Sequence, residues 1–159
     1  MSNKQTTIKS SVSLEGVGIH TGKDVKLSFK PADSDTGYVF KRLDLDGSPS
    51  IEALSKYVIN TQRGTTLEKN GVKLKTIEHV LAALVGLEID NVIIEINGEE
   101  PPILDGSSKY FVEALESAGI KLLNKIRSEY IVKEVISYVD TKTGSEITVI
   151  PSDNYQITT

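Results

Sequence analysis

At Ile77 the hydrophobic period of this chain changes from two to 3.6 residues, and that switch constrains the fold more than any other feature. Upstream, Ile8, Val12 and Leu14 sit on alternate positions of a polar stretch and predict a first strand over Ile8 to Leu14. Three glycines then interrupt the run between Gly16 and Gly22. Val25, Leu27 and Phe29 alternate with Lys26, Ser28 and Lys30, which predicts a strand with one wet face. Pro31 ends it, having no ladder donor. A turn at Asp35 to Gly37 leads into a strand over Tyr38 to Leu43. From Asp44 to Asn60 the pattern predicts only a loop, with helical turns around Ile51 to Tyr57. Asn70 and Gly71 both tolerate positive φ and lie between short alternating runs, a strong hairpin signal.

Beyond the switch, Ile77, Val80, Leu81 and Leu84 mark one face of a helix. Thr76 is its expected N-cap and Gly86 its expected C′ residue. Asn91 to Asn97 follows as an apolar strand. A loop over Glu99 to Gly106 feeds a second helix, capped by Ser107 or Ser108 and stopped by Gly119. Tyr110 or Phe111, with Ala114, Leu115 and Ala118, supplies its buried face. Strands, then helix, strand, helix, is an α+β pattern: a two-layer domain of a small mixed sheet packed with two helices.

A composition shift over Lys121 to Glu129 marks a domain boundary, taken as 1–126 and 127–159. Beyond this boundary the chain repeats its own opening. A weakly alternating run over Ile131 to Val139, a Thr143-Gly144 turn, and Ile147 and Val149 before Pro151 match Ile8 to Leu14, Thr21-Gly22, and Val25 to Phe29 before Pro31. The second copy is two residues shorter between glycine and proline, which preserves strand parity. Residues 127–159 are therefore expected to open a second, duplicated domain of like topology. The bland alternative is two hairpins that merely look alike.

Composition excludes several functions. There is no cysteine, so neither disulfides nor thiolate metal sites are available. A net charge of −4 gives no electrostatic reason to expect nucleic acid. No window approaches a transmembrane segment, and the N-terminus lacks the apolar core of a secretory signal, so the expected compartment is cytoplasmic.

The chemistry concentrates at Thr76-Ile-Glu-His-Val80. At about 100° per residue, Glu78 lies about 110° from the apolar stripe and His79 about 150° on the other side. Such a pair can act on water at a metal, imidazole ligating and carboxylate taking the proton. From the pair alone the structural reading wins: a first-turn carboxylate favoured by the helix dipole beside an exposed histidine. The motif is not His-Glu-x-x-His. His20, in the glycine-rich turn, either lines a cleft near a substrate or is a solvated turn residue. Gly16, Gly18 and Gly22 are not a dinucleotide fingerprint, because a strand comes after them. Asp105-Gly-Ser107 reads as a turn feeding an N-cap.

Residues 16–22 (GVGIHTG), 76–84 (TIEHVLAAL), 86–91 (GLEIDN) and 102–107 (PILDGS) occur in order over more than 80 residues. Together they resemble the first domain of the zinc-dependent UDP-3-O-acyl-N-acetylglucosamine deacetylases of lipid A biosynthesis. In that family two domains of like topology face each other across a cleft that holds Zn2+. The resemblance implies that His79 is a zinc ligand, Glu78 the general base and His20 a substrate-binding residue, with UDP-3-O-acyl-N-acetylglucosamine as substrate. The other two ligands, from a His-x-x-x-Asp segment, and the histidine that protonates the leaving amine come from the family's second domain. This chain has only His20 and His79. It is expected to be inactive alone, with the missing second domain as its partner. Where the family often carries a lysine for the UDP diphosphate, the aligned residue here is Ser145, with Lys142 in the same turn. Some members are fused to a 3-hydroxyacyl-acyl carrier protein dehydratase, so such a fusion stays open. Two readings from other classes also stay open: a naturally short binding or regulatory module with this fold, and an unrelated zinc enzyme built from Glu78, His79 and His20.

Overall fold

The computed structural model describes residues 3–159, which divide into two compact units, 3–126 and 127–159. The first is α+β. Its elements are β1 (Lys4–Ile8), β2 (Val12–Val17), β3 (Asp24–Pro31), β4 (Tyr38–Arg42), β5 (Ser50–Glu52), a 3-10 turn (Ser55–Tyr57), β6 (Val58–Asn60), β7 (Thr66–Lys69), β8 (Val72–Leu74), α1 (Glu78–Gly86), β9 (Val92–Ile96), α2 (Lys109–Ala118) and β10 (Ile120–Ile126).

The main sheet is mixed, in the order β2-β3-β9-β4-β5. β9 is its centre, antiparallel to β3 and parallel to β4, with Phe29 and Phe40 both opposite Ile94. This placement explains the nearly continuous apolar run of β9, whose Val92, Ile94 and Ile96 are buried and whose Ile93 is half-buried. In β3, Val25, Leu27 and Phe29 are buried while Lys26 is exposed, as the alternation predicts. Phe29 meets Phe111 of α2 edge to face, with centroids 6.5 Å apart. Both rings are fully buried, so Phe29→Ala should lower unfolding stability by about 3–5 kcal/mol. Urea denaturation checks this, and a loss under about 1 kcal/mol would mean that the site collapses around the missing ring.

Two smaller sheets complete this unit: antiparallel β1-β10 and the meander β6-β7-β8. Asn70 (φ 52°) and Gly71 (φ 80°) turn β7 into β8 as the sequence predicts.

Three expectations need correction, and one open alternative, Tyr110 or Phe111, is decided. Ile8 and Leu14 do not share a strand: Lys9 and Ser10 donate their amides to Gly119 and Ala118, and β1 peels away to pair with β10. The Asp44–Asn60 stretch is not all loop, since β5 docks on β4 and buries Ile51. Gly86 is not the C′ residue. α1 runs through it, and Glu88 takes the left-handed conformation (φ 54°), its amide on the Val85 carbonyl and its own carbonyl accepting the Thr6 hydroxyl. Tyr110 is exposed, so Phe111, Leu115 and Ala118 form the buried face of α2. At the other end Gly119 stops that helix at φ 69°. Ser108 occupies the N-cap position of α2 without a capping bond, while the Ser107 hydroxyl accepts the Lys109 amide.

The Gly86–Asn91 motif is structural. Asn91 is buried, donates to Gln5 (2.9 Å) and accepts the Gly37 amide (3.0 Å), and Asp90 accepts the Thr6 amide (2.8 Å). It fastens β1 to the start of β4.

The second unit contains one antiparallel hairpin, β11 (Ile136–Val139) and β12 (Glu146–Val149). The strand expected from Ile131 begins only at Ile136. Every residue of both strands is exposed. Among the described residues no helix is long and apolar enough to cross a membrane.

Candidate functional site

Glu78 and His79 are the first two residues of α1, both half-buried, and lie outside the apolar stripe that buries Val80, Ala83 and Leu84. Glu78 is held from the side. Its Oε2 accepts the Thr65 amide at 2.8 Å, from the loop between β6 and β7. Gly64, at φ 149°, brings that loop close: a Cβ there would stand 3.4 Å from both Glu78 Oε1 and Thr76 Oγ1. Neither the His20 ring nor the His79 ring makes a hydrogen bond among the described residues, so the nitrogens of both are free to take a ligand.

Thr76 is not the N-cap. Ile77 occupies that position in helical conformation, without a side-chain cap, and Thr76 itself adopts φ 53°. A β-branched residue there is strained, typically by about 1–3 kcal/mol. Its hydroxyl turns away from the helix to donate to Glu100 Oε1 at 2.8 Å. Glu100 Oε2 in turn accepts the amides of His20 and Thr21, each at 3.0 Å. Glu100 is 1% exposed. The turn it caps has room for it only because residue 18 is glycine, whose Cβ would fall 2.7 Å from Oε2 and 2.4 Å from Thr21 Oγ1. The glycine-rich motif is thus the socket for a carboxylate of the protein's own, made of two successive amides.

Burial pushes the Glu100 carboxyl up, but the Thr76 hydroxyl and the Thr21 and His20 amides, with the His20 charge, outweigh it and hold its pKa below the usual 4.5. A depressed carboxyl contributes stability that is complete above its unfolded value and is lost as pH falls through the folded one. Stability should therefore decline below about pH 4.5, and Glu100→Gln should flatten that part of the profile. Urea midpoints measured at several pH values test this; an unchanged acid slope in Glu100→Gln would contradict it.

The structure thus places Glu78 and His79 side by side and, through Glu100, ties the His20 backbone to Thr76, two positions before Glu78. The His20 side chain is exposed. Asp105 takes the Ser107 amide (3.0 Å) and hydroxyl (2.9 Å), the turn role expected of it. Sequence reasoning missed Glu100 and Thr65. Glu99-Glu100 precedes two prolines, and nothing in adjacent acids says which one is buried.

A catalytic zinc needs three protein ligands. Among the described residues no three His, Cys, Asp or Glu side chains lie together. The donor set therefore fits one ligand's share, the half-buried imidazole of His79 beside a fixed carboxylate.

The family model for UDP-3-O-acyl N-acetylglycosamine deacetylase matches residues 5–159. A bifunctional enzyme LpxC/FabZ of Bacteroides thetaiotaomicron is 47% identical over 154 residues, which are 97% of this chain and 33% of that protein. The UDP-3-O-acyl-N-acetylglucosamine deacetylase of Geotalea uraniireducens is 44% identical over 153 residues, 96% of this chain and 49% of that protein. That of Myxococcus xanthus is 38% identical over 156 residues, 98% and 49%. The chain spans between a third and a half of the length of these relatives, and by its match over nearly all of its residues it belongs to the UDP-3-O-acyl N-acetylglycosamine deacetylase family.

Proposed function

We propose that this chain supplies one wall of a zinc amidohydrolase site that removes acetate from UDP-3-O-(3-hydroxyacyl)-N-acetylglucosamine in the cytoplasm, a step of lipid A biosynthesis. The observation that carries the reading is the start of α1. A histidine with an unbonded ring stands next to a carboxylate whose Oε2 is pinned by the Thr65 amide.

His79 would hold the metal through a ring nitrogen. Zinc, when bound, supplies a Lewis acid that polarises the amide carbonyl and makes water acidic near neutral pH. Glu78 acts as the general base. The Thr65 bond fixes the plane of its carboxylate and leaves Oε1 to take the proton as water attacks the acetyl carbon. Positioned in this way, the base is ready before the substrate arrives. His20, exposed at the glycine turn, is the substrate-binding residue of this reading. The remaining ligands and the acid for the leaving amine belong to a second domain, so the chain alone is inactive and holds zinc weakly.

We further propose that residues 1–126 are the first deacetylase domain and 127–159 the opening of its duplicate. Matching turns support this. Gly18 donates to Lys23 and Gly22 to Gly18; correspondingly Asp140 donates to Ser145 and Gly144 to Asp140. Gly22 and Gly144 have φ 63° and 73°. In both hairpins the residues flanking the turn pair, Val17 with Asp24 and Val139 with Glu146.

A chimera tests the function. Residues 5–159 replace the matching segment of the Geotalea uraniireducens deacetylase, and acetate release from the UDP substrate is followed. The chimera should turn over and retain zinc while this chain alone does neither. A folded, zinc-loaded chimera without turnover, or full turnover by this chain alone, would sink the reading.

A further inference from the structure

We propose that Glu100 is a positioning residue for the Glu78–His79 pair: its buried carboxylate clips the glycine turn carrying His20 to Thr76 and holds Thr76 in the left-handed conformation from which α1 begins. The inference rests on the reading of Glu78 and His79 as a catalytic half-site, but its structural half can be tested without it.

Three features make Glu100 more than a packed side chain. It is almost fully buried, yet its hydrogen-bond partners are two backbone amides and a hydroxyl and include no lysine or arginine. Burying a carboxylate is costly unless hydrogen bonds replace water, and here three donors do so. The donors come from separate parts of the chain. Residues 20 and 21 belong to the turn between β2 and β3, and residue 76 to the entry of α1, so one side chain sets the distance between them. The third feature is Thr76 itself, a β-branched residue at φ 53°. Such a conformation persists only where surroundings over-determine it, and the Thr76 hydroxyl is held by Glu100. Two residues later the chain reaches Glu78, whose carboxylate must meet the Thr65 amide, and then His79. If the clip is released, Thr76 relaxes, the first turn of α1 rotates, and Glu78 leaves Thr65. The same clip holds the His20 backbone amide, so the glycine turn and the start of α1 both respond to one residue.

Nuclear magnetic resonance of the whole labelled chain tests this, with amide exchange and chemical shifts as readouts and no metal or activity required. In Glu100→Ala, exchange at the His20 and Thr21 amides should speed by about tenfold or more, as expected for loss of a bond to a charged acceptor. The Thr65 amide should speed as well, and the Thr65, Glu78 and His79 resonances should shift. The chemical shift of Ile94, in the central strand, should not change, and its exchange should speed only by the loss of global stability, which a urea curve of the same variant measures. Glu100→Gln keeps the shape and one acceptor oxygen. It should move the same resonances in the same direction by less, and it decides the matter if Glu100→Ala does not fold. Shifts confined to residues 18–22, with Thr65, Glu78 and His79 unmoved, would overturn the proposal, because Glu100 would then fasten the turn alone. Failure of the catalytic reading looks different: the resonances move as stated, but Glu78→Ala in the chimera keeps full turnover.

Discussion

Glu78→Ala in the chimera should lower kcat by roughly 10²–10⁴-fold and leave zinc in place, the loss typical of a missing general base. His79→Ala should lower zinc content and activity together. The two outcomes separate because adjacent helix residues point about 100° apart, and their surroundings differ. Glu78 Oε2 is committed to the Thr65 amide, which orients the carboxylate but leaves it a poor candidate for capturing a metal with both oxygens. The His79 ring has no hydrogen bond to give up before it ligates. Thr65 cannot be tested by side-chain deletion, since its contribution is a backbone amide. Gly64 can: a Cβ at φ 149° is strained and would stand against Glu78 and Thr76. Metal analysis beside steady-state kinetics decides between the roles. If Glu78→Ala empties the metal while His79→Ala keeps it, the roles are reversed.

How far the sequence reveals this site depends on the range of the interaction. Strand β3 and the Asn70-Gly71 hairpin were legible because alternation and turn chemistry act over a few residues. The apolar stripe of α1 was legible for the same reason, and it places Glu78 and His79 off the core face. The ends of α1 were not. Thr76 has the right chemistry for a cap, but a carboxylate 24 residues away takes its hydroxyl. Gly86 has the right chemistry for a helix stop, but the chain turns at Glu88, where the Thr6 hydroxyl captures its carbonyl from β1. Ile8 fits the alternation of β2, but its strand is claimed by β10, more than a hundred residues later. Each miss is a local preference overridden by a partner distant in the chain. Glu100 is the extreme case. Its role is defined by donors 79, 80 and 24 residues away, and no window of sequence contains them all.

Hydrogen exchange across the chain should show a contrast of about a thousandfold or more between β9 and the β11–β12 hairpin in a dilute monomer. β9 is hydrogen-bonded on both edges and buries Val92, Ile94 and Ile96, so its amides open only with the unit as a whole. Global stability of about 5–15 kcal/mol corresponds to protection of at least 10³. The hairpin has the opposite construction. Among the described residues it is two strands with no third paired to them, and Ile136, Tyr138, Ile147 and Val149 are all exposed. An isolated two-stranded hairpin is marginal in water, so protection there should stay below about tenfold. Its turn, shaped like the one at Gly22, favours the correct register but cannot replace an apolar face. The exposed strand edges invite pairing with another chain. Protection in residues 136–149 should therefore rise with protein concentration if such pairing occurs, and covering the hairpin with the remainder of the proposed second domain should raise it at any concentration. Protection matching that of Ile94 in the dilute monomer would mean that 127–159 is self-sufficient, and the division proposed at residue 126 would fail with it.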